Sequence, residues 1–371
     1  MNIYEGLGLK TIINASDVYT VIGGSRMDET VVNAMIDASH HFVDIVEFER
    51  KASSRIAELT HNEACYITAG AAAGVLLTAA ACMTGMDVKK TETLPVTDAM
   101  KNEFLTFTIQ MSESVTFLHM IETAGGRIVR VKLDSESIEQ AINDRTAGVF
   151  FYPQTMDFGE ESGLAEIIET AHKHDIPVIV DAAAMLPPIS NFWYCTKELG
   201  ADLIIFSGGK HIAGPQSTGL ILGKEPLVEA CRLNGGPQVK VGRPAKVGKE
   251  EIAGILTAVE RFVSIDFDRL KKIQNSYLYK IEAGISDILG LKTKMQPYGT
   301  LQQDYPMLIV SLPDGVDGNE LHLALRNGSP SIDIRCFFWK NISDTIFINP
   351  ICMQPDEPEV IIKRLRECLV K

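Results

Sequence analysis

What this chain lacks narrows the field before any motif is read. It has only two tryptophans and no basic excess: 35 Lys and Arg against 48 Asp and Glu leave a net charge of −13. Tight, unspecific binding to a phosphate backbone needs clustered cations, so partnership with tRNA or other nucleic acid is not expected, though a local basic pocket is compatible. The seven cysteines (Cys65, Cys82, Cys195, Cys231, Cys336, Cys352, Cys368) include no CxxC pair. An odd, dispersed set reads as reduced, core-filling thiols of a cytosolic protein. The opening "MNIYEGLGLKTIINAS" has no apolar signal-peptide core, which adds to the expectation of a cytoplasmic location.

Fingerprints of several enzyme classes are missing too. There is no GxGxxG, no HExxH and no G-x-S-x-G, and neither Gly209-Lys210-His211 nor Gly223-Lys224-Glu225 has the Ser or Thr of a P-loop. The eight histidines show no metal-ligand spacing, so no metal is expected. One run, "AGAAAGVLLTAAACMTGM" (69–86), has membrane-like length, but its Ala and Gly content suits a tightly packed buried helix, and no membrane association is expected.

What is present suffices for a large core. The 371 residues are 46% hydrophobic, which suggests two domains. Residues 28–60 carry apolar positions at helical spacing, as two helices. Short β-type runs then alternate with helical ones: "EACYI" (63–67), "FLTFTI" (104–109), "RIVRV" (127–131), "AGVFFY" (147–152), "IPVIVDA" (176–182), "ADLIIF" (201–206) and "TGLILG" (218–223). Such alternation predicts a mostly parallel central sheet with helices on both faces, and ligands then bind beyond the carboxyl ends of its strands. A long helical stretch covers about 248–287, and the remainder reads as a small C-terminal α+β domain. The expected organisation is an N-terminal helical segment (1–60) packing on a large domain (61–247), a connecting helix region (248–289) and a small domain (290–371).

Three positions at successive strand ends could carry chemistry. In "TAGAAAG" (68–74) a strand turns through Gly70 into a helix nearly bare of side chains; free N–H groups there suit a phosphate, although a helix packed by its alanines would read the same way. Asp181 closes the apolar strand in "VIVDAAAMLPP" (178–188). Buried there it needs a cation or strong donors, such as a protonated ring nitrogen, unless it simply caps a helix. Lys210 follows in "FSGGKHIAGPQSTGLILG" (206–223), ringed by Ser207, Gly208, Gly209, Gly214 and Gly219. Desolvated lysines form Schiff bases with carbonyls, whereas a solvated loop lysine is the ordinary alternative. Together the three match pyridoxal 5′-phosphate (PLP), which needs a phosphate cradle, a carboxylate at its pyridine nitrogen and a lysine on its aldehyde. On this reading the glycines around Lys210 make room for the ring.

The blocks "INASDVYTVIGGSRM" (13–27), "YITAGAAAG" (66–74), "VDAAAMLPP" (180–188), "FSGGKHIAGPQSTGLILG" (206–223) and "GRPAKVGKEEI" (242–252) resemble the SelA-like branch of fold-type I PLP enzymes. That branch holds selenocysteine synthase relatives and the D-glucosaminate-6-phosphate ammonia-lyase group. The resemblance implies Lys210 as the aldimine lysine, Asp181 at the pyridine nitrogen, Gly70, Ala71 and Ala72 around the phosphate, and Ser207 close to Lys210. It puts Arg243 near the cofactor or a neighbouring subunit. One departure stands out: where relatives carry a Gly-His pair over the ring, "QMSESVTF" (110–117) places Ser112 and Glu113, so Glu113 would face the cofactor.

The expected activity is a PLP-dependent lyase that eliminates across Cα and Cβ of a small hydroxylated amino acid or amino sugar acid and releases ammonia. Arg26 in "GGSRM" is the candidate for an anionic substrate group. Selenium transfer on seryl-tRNA, transamination, or cofactor binding with altered activity are the alternatives. A homodimer or larger homo-oligomer is implied by the family.

Overall fold

In a computed structural model the described residues are 2–107, 118–153, 163–336 and 343–370. In chain order the strands are β1 (Ile12–Asn14), β2 (Ala64–Thr68), β3 (Glu103–Phe107), β4 (Arg127–Val131), β5 (Thr146–Phe151), β6 (Val178–Asp181), β7 (Leu203–Ser207) and β8 (Gly219–Gly223). They continue with β9 (Lys292–Gln296), β10 (Met307–Ser311), β11 (Ser331–Asp333), β12 (Arg335–Cys336) and β13 (Thr345–Ile348). The chain forms two compact units, Ser25–Ser264 and Met1–Gly24 with Ile265–Lys371.

The larger unit is built on a sheet of order β2-β8-β7-β6-β5-β3-β4. Strands β3 to β7 pair in parallel, and only β8 runs against its neighbours β7 and β2. This is the mostly parallel sheet that the alternating runs predict. Every residue of β5, β6 and β8 is buried, as covering on both faces requires, so these strands read as continuous apolar runs without alternation. The helix Ala71–Thr84 lies along the sheet, touching strands from β2 to β5. It is 14 residues long, carries no charge and is buried on most sides, and among the described residues no helix is long and apolar enough to cross a membrane. Its Gly74 is what lets it lie so close, since a Cβ there would stand 2.8 Å from Ile205.

Between "DETVV" and "AELT" the expected pair of helices spans Glu29–Ser39 and Ile45–Leu59, started by Asp28 and Asp44, whose carboxylates accept first-turn N–H groups. The long helical stretch beyond 248 is two helices, Lys249–Val263 and Phe267–Ile285, the second capped by Asp266. These two helices divide between the units, so the boundary falls inside the stretch read as a connecting region.

The smaller unit combines an antiparallel sheet of order β12-β13-β10-β9 with a parallel pair, β1 and β11. The β1 pairing (Ile12 beside Ser331, Asn14 beside Asp333) ties the first residues to the C-terminal unit. Residues 1–24 therefore group with 265–371, and the N-terminal segment expected over 1–60 is split at Gly24. The core of this unit gathers Leu278 and Ile281 of the long helix, Leu308 and Ile348 of the sheet, and Ile361 and Leu365 of the last helix.

At the amino end of the large sheet one carboxylate ties three strands. Asp202 is buried; its Oδ2 accepts the Val178 N–H at 2.7 Å and contacts His172 Nε2 at 2.9 Å, and its Oδ1 accepts from Lys224 Nζ at 2.7 Å. Its backbone joins in, bonding to Val178 O and accepting from Lys224 N. Asp202→Ala strands the buried Val178 donor and removes the carboxylate that half-exposed Lys224 and His172 contact, and is expected to cost roughly 1–3 kcal/mol in chemical denaturation. A loss below about 0.5 kcal/mol, the size of an ordinary surface change, would contradict this role.

Candidate active site

The sheet register brings the expected residues to one edge. Thr68 pairs with Gly219, Gly219 with Ser207, and Asp181 with Ile205. The carboxyl ends of β2, β6 and β7, with Gly70, Asp181 and Lys210 just at or beyond them, thus lie along the same rim, where ligands of open α/β sheets bind.

At the β2 end, Gly70 adopts φ +92°, a left-handed-side conformation that glycine alone takes easily, and precedes the helix Ala71–Thr84 without any side-chain cap. Among the described residues nothing lies within 4 Å of where a Gly70 Cβ would be, and no side chain caps the first-turn N–H groups of Ala71 and Ala72. Thr68 Oγ1 donates to Gly70 O at 2.9 Å and fixes the turn. From the other side β8 presses in: a Cβ on Gly219 would stand 2.6 Å from Gly70 C and 2.8 Å from Ala71 N. An uncapped helix start with room in front of it fits a phosphate group.

Asp181 ends β6 fully within the protein. Its Oδ1 accepts the Ala183 N–H at 3.0 Å. Burial pushes its carboxyl up to about 6, against the lowering effects of that hydrogen bond and of the Lys210 ammonium. A carboxylate so placed holds charge well only beside a further positive group, and a pyridinium N–H supplies one. The donor set therefore fits the PLP ring nitrogen.

Lys210 stands three residues beyond β7, close enough to Asp181 and His211 to act on both by charge. Its loop is folded onto itself: Gly208 N donates to Thr218 O at 2.8 Å, Gly214 N to Gly208 O at 2.8 Å, and Ala213 N to Lys210 O at 3.0 Å. Here the structure corrects the sequence reading of the glycines. A Cβ on Gly208 would meet Thr218 Oγ1 at 2.1 Å, and one on Gly209 would meet Gln216 Cα at 2.5 Å. These glycines permit close backbone packing within the protein; open space lies at Gly70 instead. Ser207, half-buried at the end of β7, directly precedes this loop.

Ser25 anchors the "GGSRM" segment to the same loop, its N and Oγ both donating to Gly209 O, at 3.1 and 2.9 Å. Arg26, exposed, is thereby held next to the Lys210 loop along the chain. Arg243 lines a cavity of about 440 Å³ with Tyr66, Gly236 and Lys246; Asp181 and Lys210 are not among that cavity's described lining residues. Ser112 and Glu113 lie outside the described residues.

Two further residues join the rim that the sequence reading passed over. Tyr152 follows β5, where continuation of the β5–β6 register sets it beside Asp181; burial first, and the Asp181 charge second, push its phenol above the usual range. A tyrosine ending an apolar strand gives no sequence signal beyond core. His211 is pushed down to about 3, by burial and then by the Lys210 ammonium, so its imidazole is neutral at physiological pH. Its adjacency to Lys210 was the available clue.

A parallel-sheet rim carrying an open helix start, a buried carboxylate and a lysine belongs to the fold-type I PLP-dependent enzymes. The chain is a member of the class-V aminotransferase family, whose model matches residues 23–296, and its cofactor is PLP. It is 31% identical to a Streptomyces 5′-C-glycyluridine monooxygenase-decarboxylase over 99% of this chain and 92% of that protein. A D-glucosaminate-6-phosphate ammonia lyase of Salmonella typhimurium is 28% identical over 99% of this chain and 97% of its own. A solved D-glucosaminate-6-phosphate ammonia-lyase superposes with a TM-score of 0.81 at 26% identity, covering 100% of this chain and 98% of that one.

The Asp181 carboxyl binds its proton more tightly folded (about 6) than at its ordinary 3.8. In cofactor-free protein its contribution to stability is therefore fully present below pH 3.8 and is lost as pH rises through about 6. Asp181→Asn should be more stable than the wild type above pH 6 by up to about 3 kcal/mol, the difference closing toward pH 4, while binding PLP more weakly. A variant equally or less stable across that range would contradict the assignment of a strained carboxylate.

Proposed function

We propose that this chain is a PLP-dependent lyase that releases ammonia from a small hydroxylated amino acid or amino sugar acid. The observation that carries the reading is the convergence of buried Asp181, Lys210 and the uncapped helix start at Gly70 on one rim, together with full-length similarity to an ammonia lyase of amino sugar acids. Bound PLP supplies an electron sink for charge developing at the substrate Cα. The N–H groups of Ala71 and Ala72 after Gly70 hold its phosphate, and Asp181 keeps a proton on its ring nitrogen. Lys210 would hold its aldehyde and would take up the substrate's Cα proton. Ser207 sets the start of the Lys210 loop. Arg26 receives an anionic group of the substrate. The net reaction removes the Cα proton and the Cβ hydroxyl as water, takes one water back, and yields a 2-oxo acid and ammonia.

The reading includes a cytoplasmic, homo-oligomeric enzyme of small molecules, with tRNA disfavoured by the net charge of −13. A second reading, oxidative decarboxylation of an amino acid, is favoured by the 31% identity to a monooxygenase-decarboxylase.

Incubation of PLP-loaded protein with 3-hydroxy amino acids and 2-amino sugar acids separates the two. Ammonia and a 2-oxo acid in equal amounts, without oxygen uptake, are expected, and Lys210→Ala should lower the rate at least about 1,000-fold. Oxygen consumption matched by carbon dioxide would replace the lyase with the decarboxylase. Unchanged turnover in Lys210→Ala would overturn both.

A further inference from the structure

Side chains alternate across a strand, so residues two apart share a face of the sheet. Phe150 of β5 and Ile179 of β6 are register partners, and both pack in the core cluster that holds Val75 and Ala79 of the helix Ala71–Thr84. Two residues further along, continuing the strands, Tyr152 and Asp181 turn to that same helix-covered face. They stand at the carboxyl ends of adjacent parallel strands, on the rim that also carries the helix start at Gly70.

Strand order puts the parts of this rim on different flanks. In the order β2-β8-β7-β6-β5, the Gly70 helix start after β2 and the Lys210 loop after β7 lie on one side of Asp181, and Tyr152 lies on the other. PLP is asymmetric in the same sense. About the line from its ring nitrogen to the carbon bearing the aldehyde, the phosphate arm stands on one flank and the 3-hydroxyl on the other. A ring whose nitrogen meets Asp181 and whose phosphate reaches toward Gly70 turns its 3-oxygen to the β5 end. The residue after Tyr152 is Pro153, which has no backbone N–H to give, so the phenol is the donor that this strand end presents. Burial, and then the charge of Asp181, push that phenol above its usual range, which keeps its proton available for donation.

We propose that Tyr152 is a cofactor-binding residue whose hydroxyl donates to the 3-oxygen of PLP and so fixes the ring on the flank away from its phosphate. The inference rests on the PLP reading of this rim and deepens it. Asp181 and the helix start hold the ring at its nitrogen and its phosphate, and a third contact on the far flank sets its angle toward Lys210. A group held from several sides stays within the narrow geometry that proton transfer needs. A donor aimed at that oxygen also favours its charged form.

The test is the affinity of the full-length, cofactor-free protein for two aldehydes, PLP and its 3-deoxy analogue, which lacks only the 3-hydroxyl. Tyr152→Phe should bind PLP roughly 10-fold more weakly than the wild type and bind the 3-deoxy analogue as tightly as the wild type does. Equal losses for both aldehydes would mark a tyrosine that only supports the fold and would overturn the assignment. Should Tyr152→Phe not fold, the wild type decides: it should prefer PLP over the 3-deoxy analogue by at least about 10-fold, and equal affinities would overturn the contact. PLP affinity lost in Asp181→Asn but kept in Tyr152→Phe would overturn the Tyr152 assignment alone. A wild type that binds neither aldehyde, or PLP affinity untouched by Asp181→Asn, would overturn the cofactor reading and this contact with it.

Discussion

Everything at this site depends on one buried charge. Asp181 closes the central strand β6 beside Ile205 and, by continuation of the register, Tyr152; among the described residues its carboxylate accepts the Ala183 N–H and lies near the Lys210 ammonium. Left to the protein alone, that group prefers its proton up to a pH of about 6. A protonated ring nitrogen placed against it converts a liability into a specific ion pair, and in the low-dielectric interior such pairing is far more effective than at a surface. The proposed pairing with the cofactor would relieve this strain, which is how natural sites trade stability for function.

The remaining parts of the rim follow from how closely strands and helices approach there. β8, which runs against its neighbours in the larger sheet, begins at Gly219, and only a glycine there allows it to touch the Gly70 turn. That contact, with the Thr68 bond to Gly70 O, sets the uncapped helix start proposed to hold the phosphate. Beyond β7, Gly208 and Gly209 let the loop fold back on Thr218 and Gln216, so that Lys210 projects from a rigid turn. Ser25 clips the segment bearing Arg26 to the same turn. Positioning by packed backbone fixes a reactive amine more precisely than a mobile loop would.

Much of the larger unit was legible in the sequence because fully buried strands are uninterrupted apolar runs; "TGLILG" (218–223) contains all of β8. The smaller unit was harder to read. β9 is "KTKMQ", an edge strand with polar, partly exposed side chains, and no apolar alternation marks it. The pairing of β1 with β11 joins residues more than 300 positions apart, a contact that local pattern cannot report. Asp181 and Lys210 stood out because a carboxylate closing an apolar strand and a lysine among glycines are both unusual. Tyr152 did not, since its position beside Asp181 depends on strand order. The glycines of the Lys210 loop were read correctly as close-approach residues, but the object approached proved to be the chain itself.

The most direct test is to reduce the PLP-loaded protein with borohydride and map the modified peptide. A pyridoxyl group on Lys210, abolished by Lys210→Ala and formed with lower cofactor affinity in Asp181→Asn, is the predicted result. The label on another lysine, or undiminished affinity without the Asp181 carboxylate, would contradict the account.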